Sequence, residues 1–350
     1  MILRTFWHGN KITKQEGNGT MSINLKGRSF LTLMDFTPEE IRYFLDLAKE
    51  LKQKRNAGER GTSLTGKNIL LIFEKTSTRT RSSFEIGAVE EGAHVTYIGP
   101  SDSQFGKKES VVDSAKVFGR YYHGIEYRGF AQKTVEDLAK YSGAVVWNGL
   151  TDDDHPTQIL ADLMTIEEKI DKPLNEIKVV FVGDIRNNMS YAWMYGCAKM
   201  GMDFVAFGPS CLEPDAEIVK KAKAVAESTG GQIRWGDDED LLKGADVIYT
   251  DIWASMGEED LIPERVKILT PYRITEEFMA KTENTDTLFM HCLPSFHDLE
   301  TYMAKSQMEA GYDIREVTDE VFNSKNSVVF DEAENRLHTI KAVMVATLGE

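Results

Sequence analysis

Short apolar runs of strand length recur along the chain, and stretches of helical composition separate one run from the next. Apolar runs of about four to eight residues that end in polar or glycine-containing segments are typical of buried strands. Strands that alternate with helices favour parallel sheets with helices on both faces. We therefore predict an α/β fold of two doubly wound domains joined by interdomain helices. The predicted strands are NILLIF (68–73), AHVTYIG (93–99), GIEYRG (124–129), AVVWNG (144–149), IKVVFVG (177–183), DFVAFG (203–208), DVIYTD (246–251), DTLFMH (286–291) and SVVF (327–330).

The first helix has the clearest start signal in the chain. Thr37 is a natural N-cap, Pro38 suits the first helical position, and Glu40 completes a capping box. The segment 155–169 lies between the two series of strands, so we expect it to be the helix that joins the domains. The further predicted helices are 82–93, 155–169 and 333–348.

The length of the chain implies more than one domain, because 350 residues exceed the size at which a single core stops growing. We predict a first domain over 21–150 that takes back 335–350, and a second domain over 151–334. Residues 1–20 show no sustained period and no long apolar region, so we expect a leader outside the fold.

Charge and cysteine content disfavour several classes of partner. The net charge is −15, whereas a nucleic-acid partner needs a basic face. No apolar run approaches the length that spans a membrane, so a membrane partner is also disfavoured. Cys197, Cys211 and Cys292 are too few for a disulfide framework, which favours a reducing, cytoplasmic setting.

The segment FEKTSTRTR (73–81) crowds hydroxyls and positive charge between a predicted strand and a predicted helix. Free N–H groups at a helix N-terminus form an anion site, to which Ser77, Thr78 and Thr80 can add donors. Arg79 can hold a phosphate by two parallel bonds. N-capping beside a solvated arginine explains these residues equally well, and the Walker A pattern is absent.

Other polar segments follow predicted strands, where open α/β sheets bind ligands. His155 precedes Pro156 at a helix start and can donate to a carbonyl oxygen, although a histidine that caps its own helix is the simpler interpretation. Arg128 in YRG is, taken alone, a surface arginine. Asp251 follows a strand and can fix an ammonium group or cap a helix.

Two further segments bear on cofactors. VGDIRNN (182–188) lacks the glycines of a dinucleotide fingerprint, which disfavours a nicotinamide cofactor and leaves Asn187 and Asn188 to read a polar substrate. MHCLPSFHD (290–298) places Cys292 beside histidine, but the spacing matches no common zinc pattern. A packed or substrate-facing thiol is the better hypothesis.

Taken together and in order, these segments resemble the aspartate/ornithine carbamoyltransferase family. The resemblance covers residues 21–350, essentially the whole predicted fold. STRTR and HPTQ are shared across the family, whereas D-x-x-x-SMG and HCLP point to its ornithine branch. The matching segments are FEKTSTRTR, SQFGKKES, YRG, HPTQ, GD-x-x-NN, D-x-x-x-SMG, HCLP and DEAENR-x-HT.

The resemblance implies roles for individual residues in two substrate sites. Gln104 matches a loop residue that a neighbouring subunit contributes, and the carbonyl oxygens of Cys292 and Leu293 match acceptors for the carbamoyl amide. Among all these residues, the expected catalytic groups are Arg128, His155, Asp251 and Cys292. The implied carbamoyl phosphate contacts are Ser77, Thr78, Arg79, Thr80, Gln104, Arg128, His155, Gln158, Cys292, Leu293 and Arg336. The implied ornithine contacts are Asn188, Asp251, Ser255 and Met256.

The resemblance also implies the reaction. The δ-amine of L-ornithine attacks carbamoyl phosphate to give L-citrulline and phosphate, without a metal, an organic cofactor or a protein nucleophile. It implies a homotrimer, or an assembly of trimers, with active sites at subunit interfaces. The pathway would be arginine metabolism, either the urea cycle or the arginine deiminase pathway, and the direction of flux is open.

Several alternatives stay open from the sequence. A sister enzyme could carry putrescine, N-acetylornithine or aspartate, and a catalytically silent homologue could act as a regulatory partner. Intact STRTR, HPTQ and HCLP disfavour the silent homologue. The chain departs from the expected pattern at 190–193, where SYAW replaces smaller residues, and the rings of Tyr191 and Trp193 are expected to pack behind the ornithine site.

Overall fold

We describe a computed structural model of the chain over residues 23–255 and 257–350. The expected leader, 1–20, and Met256 lie outside the described residues. The described chain forms two sheets, every strand pairing in them is parallel, and helices cover both. The predicted α/β class is therefore confirmed.

The first sheet is built from apolar runs in the first half of the chain. Its strands are β1 (Asn68–Phe73), β2 (His94–Ile98), β3 (Gly124–Arg128) and β4 (Val145–Leu150). They lie in the order β2-β1-β3-β4, and each boundary falls within one residue of the predicted run. The register places Glu126 of β3 between Leu71 and Trp147 on the neighbouring strands.

The second sheet follows the same plan. Its strands are β5 (Lys178–Val182), β6 (Asp203–Phe207), β7 (Gln232–Gly236), β8 (Val247–Thr250) and β9 (Leu288–His291). Their order is β7-β6-β5-β8-β9. The residues of β5 and β8 are almost all buried, as expected for strands covered on both faces.

Twelve α-helices connect and cover these strands in the described ranges. The first begins at Pro38 with the predicted capping box between Thr37 and Glu40. None of the helices within 23–255 and 257–350 is long and apolar enough to cross a membrane. The helices are α1 (Pro38–Asn56), α2 (Arg79–Glu90), α3 (Val111–Tyr121), α4 (Gln132–Ser142), α5 (Pro156–Lys169), α6 (Asn188–Met200), α7 (Ala216–Thr229), α8 (Ile262–Leu269), α9 (Glu276–Ala280), α10 (Tyr302–Glu309), α11 (Asp319–Phe322) and α12 (Val329–Leu348).

Helices α5 and α12 join the two halves of the molecule. Every residue of α5 from Pro156 to Ile166 is buried, and α12 packs against α1, α2 and α5. One apolar cluster contains Leu71 and Phe73 of the first sheet together with Val179 and Phe181 of the second. The division of the chain at 150/151 and 334/335 stays a prediction, and α12 runs across the second of these positions.

The predicted strand SVVF (327–330) is wrong. Only Ser327 bridges to Phe289 of β9, and the chain then enters α12 at Val329. Val329, Glu332 and Arg336 are buried at helical spacing, so the first helical turn packs more of this segment than a strand would. The four-residue apolar pattern was too short to separate a strand from a helix start.

Strand β7 has no counterpart among the predicted strands. It is the edge strand next to β6, and in its sequence QIRWG only Ile233 is buried. An edge strand with one buried side chain shows no apolar run, so its pairing with β6 depends on the sheet already present.

The topology brings four strand ends together. The pairs β1–β3 and β5–β8 occupy the positions where the strand order changes direction in each sheet. Ligands bind beyond the carboxyl ends of strands at such positions. The segments that leave these four strands are therefore expected to form the ligand site.

Candidate active site

A cleft of about 870 Å³ lies between the carboxyl ends of the two sheets. One wall comes from the segments after β1, β3 and β4, and the other from those after β5, β8 and β9. Polar and charged side chains predominate among its lining residues. The predicted site residues that line it are Ser77, Thr78, Arg79, Thr80, Arg128, His155, Asn188, Asp251, Ser255, Cys292, Leu293 and Arg336.

Helix α2 supplies one end of the cleft. It begins at Arg79, three residues earlier than predicted, so Arg79 and Thr80 belong to its first turn. Thr78 is the N-cap residue, but its side chain makes no capping bond, and the Thr80 N–H donates to Ser77 Oγ at 3.2 Å. The positive end of this helix and its hydroxyls therefore face the cleft as an anion site.

Three arginines converge on this helix end. Arg128 Nη1 lies 3.3 Å and Arg336 Nη2 lies 3.0 Å from Thr80 Oγ1, and Arg79 lines the same wall. Among the described residues, none of these three guanidinium groups forms an ion pair. Burial lowers the pKa of Arg79, and it lowers the pKa of Arg128 and of Arg336 to about 10. All three stay charged at neutral pH, so the cleft holds uncompensated positive charge in an acidic protein.

His155 lies beside the arginines at the start of α5, where Pro156 occupies the first helical position. Burial, followed by the charges of Arg336 and Arg128, holds the pKa of His155 well below its usual range. The imidazole is therefore neutral at physiological pH and can donate one hydrogen bond without adding charge.

Gln158 lies behind this wall and does not line the cleft. Its Nε2 donates to Asp162 Oδ1 at 2.7 Å and to Glu332 Oε1 at 2.9 Å, and its Oε1 accepts from Arg336 Nη1. In this arrangement Gln158 orients Arg336. Its expected direct contact with carbamoyl phosphate stays a prediction.

A buried carboxyl pair connects the two walls. Burial and the nearby charge of Glu332 raise the pKa of Asp162 well above its usual range, so Asp162 holds a proton and Glu332 accepts hydrogen bonds. Glu332 accepts from the His291 N–H at 2.9 Å and from the Tyr249 hydroxyl at 3.1 Å. Glu332, on α12, therefore holds the end of β9 and Gln158 of α5 in a fixed relative position.

The opposite wall centres on Asp251, at the end of β8. Its carboxylate accepts from Cys292 Sγ and from Asn187 Nδ2, both at 3.3 Å, and from the Ile252 N–H at 2.8 Å. Asn188 Nδ2 donates to the Thr151 carbonyl at 2.7 Å. Burial raises the pKa of the Cys292 thiol, which keeps it protonated as a donor to Asp251.

The HCLP turn is held by His291 and Glu316. Leu293 adopts a left-handed φ of 56°, and its N–H donates to His291 Nδ1 at 2.9 Å. His291 Nε2 meets Glu316 Oε1 at 3.2 Å, so both ring nitrogens are engaged. Asp251, His291 and Cys292 place ligand-type atoms within 4.8 Å of one another, but these bonds leave the imidazole no free nitrogen for a metal.

Gln104 and Met256 are the remaining predicted site residues. Gln104 lies in the loop before α3 and does not line the cleft, and its carbonyl accepts from the N–H groups of Lys107, Lys108 and Glu109. Met256 lies outside the described residues. Their roles stay predictions.

The prediction missed cleft residues whose partners are distant in sequence. Lys75 is buried, pairs with Asp152 and lies 4.6 Å from the Phe130 ring centroid. Arg265 of α8 pairs with Asp184 at 3.0 Å. Lys75 and Asp184 lie in segments that follow strands and could have been found there, whereas Arg265 carries no local signal.

Comparison with known proteins identifies the family of the chain. The carbamoyl-P binding domain of aspartate/ornithine carbamoyltransferase matches residues 28–168, and the Asp/Orn binding domain matches residues 175–347. The chain belongs to the aspartate/ornithine carbamoyltransferase family. In this carbamoyltransferase chain, the first matched region carries the arginine wall except for Arg336, and the second carries Asp251 and HCLP.

Individual members of the family are similar over nearly their full length. Ornithine carbamoyltransferase from Clostridium perfringens is 67% identical, covering 94% of this chain and 100% of the relative. Catabolic ornithine carbamoyltransferase 1 from Staphylococcus epidermidis is 57% identical, covering 93% and 99%. The solved ornithine carbamoyltransferase of Pyrococcus furiosus has a TM-score of 0.85 and 41% identity, covering 93% and 98%.

The large side chains at 190–193, where the expected pattern has smaller residues, are accommodated inside this carbamoyltransferase fold. Trp193 of α6 is fully buried and meets the Tyr249 ring edge-on at 5.3 Å between centroids. The Tyr191 hydroxyl accepts from the Asp215 N–H at 3.1 Å. The large rings therefore pack behind the Asp251 wall, and neither lines the cleft.

Asp154, next to His155, predicts a pH-dependent contribution to stability. Burial raises its pKa to about 7, so the folded protein favours the protonated carboxyl. Its stabilising contribution is complete below the unfolded pKa, near 4, and is lost as pH rises to about 7. Asp154→Asn cannot ionise. We therefore expect its free energy of unfolding, relative to the unsubstituted protein, to increase by about 2–4 kcal/mol between about pH 4 and about pH 8.

Denaturant unfolding at a series of pH values measures this difference. The exposed Asp286→Asn is the control, and the gain with pH should be larger for Asp154→Asn than for this control. A difference for Asp154→Asn that does not change with pH would contradict the prediction.

Proposed function

We propose that this protein transfers the carbamoyl group from carbamoyl phosphate to the δ-amine of L-ornithine, giving L-citrulline and phosphate. The observation that carries the proposal is the charge pattern across one cleft. Buried arginines that form no ion pair within 23–255 and 257–350 line one wall, and a carboxylate at a strand end lines the other. A doubly charged acyl phosphate and an amino acid ammonium would complement these walls.

The arginine wall suits carbamoyl phosphate. Arg79 and the first turn of α2 would bind the phosphate together with Arg128 and Arg336, whose guanidinium groups contact Thr80 of that turn. Guanidinium groups and helix N-termini both favour phosphate oxygens. Thr80, Arg128 and His155 would donate to the carbonyl oxygen, where negative charge develops during the reaction. A neutral His155 fits this role because it can donate a hydrogen bond to the carbonyl oxygen without adding positive charge. The arginines then balance the negative charge of the phosphate.

The opposite wall suits an amino acid. Asp251 would pair with the α-ammonium of ornithine, while the Asn187 and Cys292 bonds hold its carboxylate in place. Asn188 and the Met256 N–H would bind the carboxylate, with Ser255 beside them. The backbone carbonyls of Cys292 and Leu293 would accept from the carbamoyl amide.

The reaction then needs positioning rather than a protein nucleophile. The neutral δ-amine forms a C–N bond to the carbonyl carbon, and a tetrahedral oxyanion results. The C–O bond to phosphate breaks, and the departing phosphate takes up a proton released from the amine. The arginines stabilise negative charge at both stages.

Product analysis tests the reaction directly. With carbon-13 carbamoyl phosphate and ornithine, mass spectrometry should detect labelled citrulline, and released phosphate should match it one to one. Citrulline absent at millimolar substrate from a correctly folded sample would contradict the proposal.

The assembly and compartment belong to the same proposal. A homotrimer would let Gln104 reach the cleft of a neighbouring subunit, which is supported by its position away from its own cleft. Sedimentation equilibrium would then give three chain masses or a multiple of three.

A cytoplasmic location is supported by three unpaired cysteines, and cell fractionation would test it.

A further inference from the structure

Glu126 is a fully buried carboxyl directly behind the arginine wall. It lies on β3, two residues before Arg128 and therefore on the same face of the strand. Within the described residues, neither of its carboxyl oxygens has a hydrogen-bond partner. Burying a polar group without a partner is unfavourable, so Glu126 weakens the fold where an apolar residue would not.

The space for this carboxyl is built by Gly149 and Thr80. A Cβ placed on Gly149 of β4 would lie 1.9 Å from Glu126 Oε1 and 3.3 Å from the Thr80 methyl group. The hydroxyl of the same Thr80 contacts both Arg128 and Arg336. The Thr80 side chain therefore lies between the Glu126 carboxyl and the two arginines, which are proposed to hold carbamoyl phosphate.

Among the described residues, the charged groups that act on Glu126 lie on two elements. Arg128 is on its own strand and Arg336 is on α12. Its register partners Leu71 on β1 and Trp147 on β4 carry no charge, and neither does Thr80 on α2. Any change in the charge of Glu126 is therefore felt mainly by the two arginines.

We propose that Glu126 is a positioning residue that acts through Arg128 and Arg336. Ionised Glu126 weakens the binding of the phosphate dianion by these two arginines, and protonation of Glu126 restores that binding. This inference rests on the proposed function, because it assigns a control of affinity to the same anion site. It goes beyond that function by making phosphate binding and proton uptake at Glu126 interdependent.

The coupling follows from the signs of the charges. An ionised Glu126 offsets part of the arginine charge, so a dianion binds less tightly. A bound dianion in turn disfavours the ionised carboxyl and draws a proton onto Glu126. Burial already raises the pKa of Glu126 well above its usual range, which brings this exchange closer to neutral pH. Linkage requires that the two effects be equal in free energy.

Glu126→Gln and Glu126→Met both remove the charge while keeping a side chain of similar size. Asp246→Asn is the matched control, since it neutralises a buried carboxyl at the amino end of β8, away from the cleft. Each protein is titrated calorimetrically with inorganic phosphate from about pH 6 to about pH 9. Two buffers with different ionisation enthalpies at each pH give the number of protons taken up.

We expect both Glu126 variants to bind phosphate about tenfold more tightly than the unsubstituted protein at the alkaline end, with the ratio falling towards one at the acid end. The unsubstituted protein and Asp246→Asn should take up more protons on binding than the variants. The KM for carbamoyl phosphate should fall in the variants in the same proportion.

Equal phosphate affinity and equal proton uptake in all four proteins would overturn the role of Glu126, as would weaker binding by both variants. If the unsubstituted protein forms citrulline in those same samples, the proposed function stands and only this inference fails. If the unsubstituted protein neither binds phosphate nor forms citrulline, the proposed function fails and this inference fails with it.

Discussion

Arg79→Ala is expected to lower kcat/KM for carbamoyl phosphate by about 30- to 1000-fold, which corresponds to about 2–4 kcal/mol of transition-state stabilisation. Arg79 stands in the first turn of α2 and has no ion-pair partner among the described residues. Its charge is therefore free to meet the phosphate as it leaves. The loss should appear in both kcat and KM, because the guanidinium would bind the substrate and stabilise the developing charge.

The measurement is an initial-rate series in carbamoyl phosphate at saturating ornithine. Arg120→Ala removes an exposed arginine at the end of α3 and should retain full activity. Unchanged melting of Arg79→Ala would show that the fold is intact. Turnover by Arg79→Ala close to that of the Arg120→Ala control would remove the phosphate role from Arg79.

Asp251→Asn is expected to reduce kcat/KM for ornithine by about 100-fold or more. The substitution removes the one negative charge proposed to pair with the α-ammonium, and a charged hydrogen bond in a buried site is worth about 1.5–3 kcal/mol or more. The amide keeps the size of the carboxyl, and its oxygen can still accept from Cys292 and the Ile252 N–H, whereas its nitrogen cannot accept from Asn187. Because the arginine wall is separate, affinity for inorganic phosphate should stay within about twofold.

Asp286→Asn is the matched control for Asp251→Asn, since Asp286 is exposed near the amino end of β9. Steady-state kinetics gives the ornithine effect, and calorimetry gives the phosphate affinity. If both ligands lose affinity to the same extent, Asp251 supports the cleft as a whole and is not the ammonium partner.

Local signals in the sequence were sufficient for most of the fold. NILLIF is a strand because a continuous apolar run can be buried on both faces of a parallel sheet, and β1 spans it completely. Thr37, Pro38 and Glu40 mark a helix start through bonds made within one turn. Features that depend on a neighbour were missed, such as β7, which is defined by its pairing with β6.

The same distinction applies to the candidate site. Arg128 ends β3 and Asp251 directly follows β8, while Arg79 and His155 lie in the segments that leave β1 and β4. Their place at one edge of the sheets therefore follows from topology. The bond between Gln158 and Glu332 joins residues 174 positions apart, and no local pattern encodes it. Glu126 was hidden for another reason, because in the sequence it is one polar residue inside an apolar run.

An initial-rate comparison of four amines at saturating carbamoyl phosphate identifies the acceptor. We expect kcat/KM for L-ornithine to exceed that for putrescine by about 100-fold or more. Putrescine has no carboxylate, so the two hydrogen-bond donors that would bind the ornithine carboxylate stay unpaired, at a cost of about 1–3 kcal/mol each. N-acetylornithine lacks the charge that Asp251 would bind, and aspartate brings a second carboxylate to the place of the attacking amine, so both should be poor. A kcat/KM for putrescine equal to or above that for ornithine would show that L-ornithine is not the preferred acceptor.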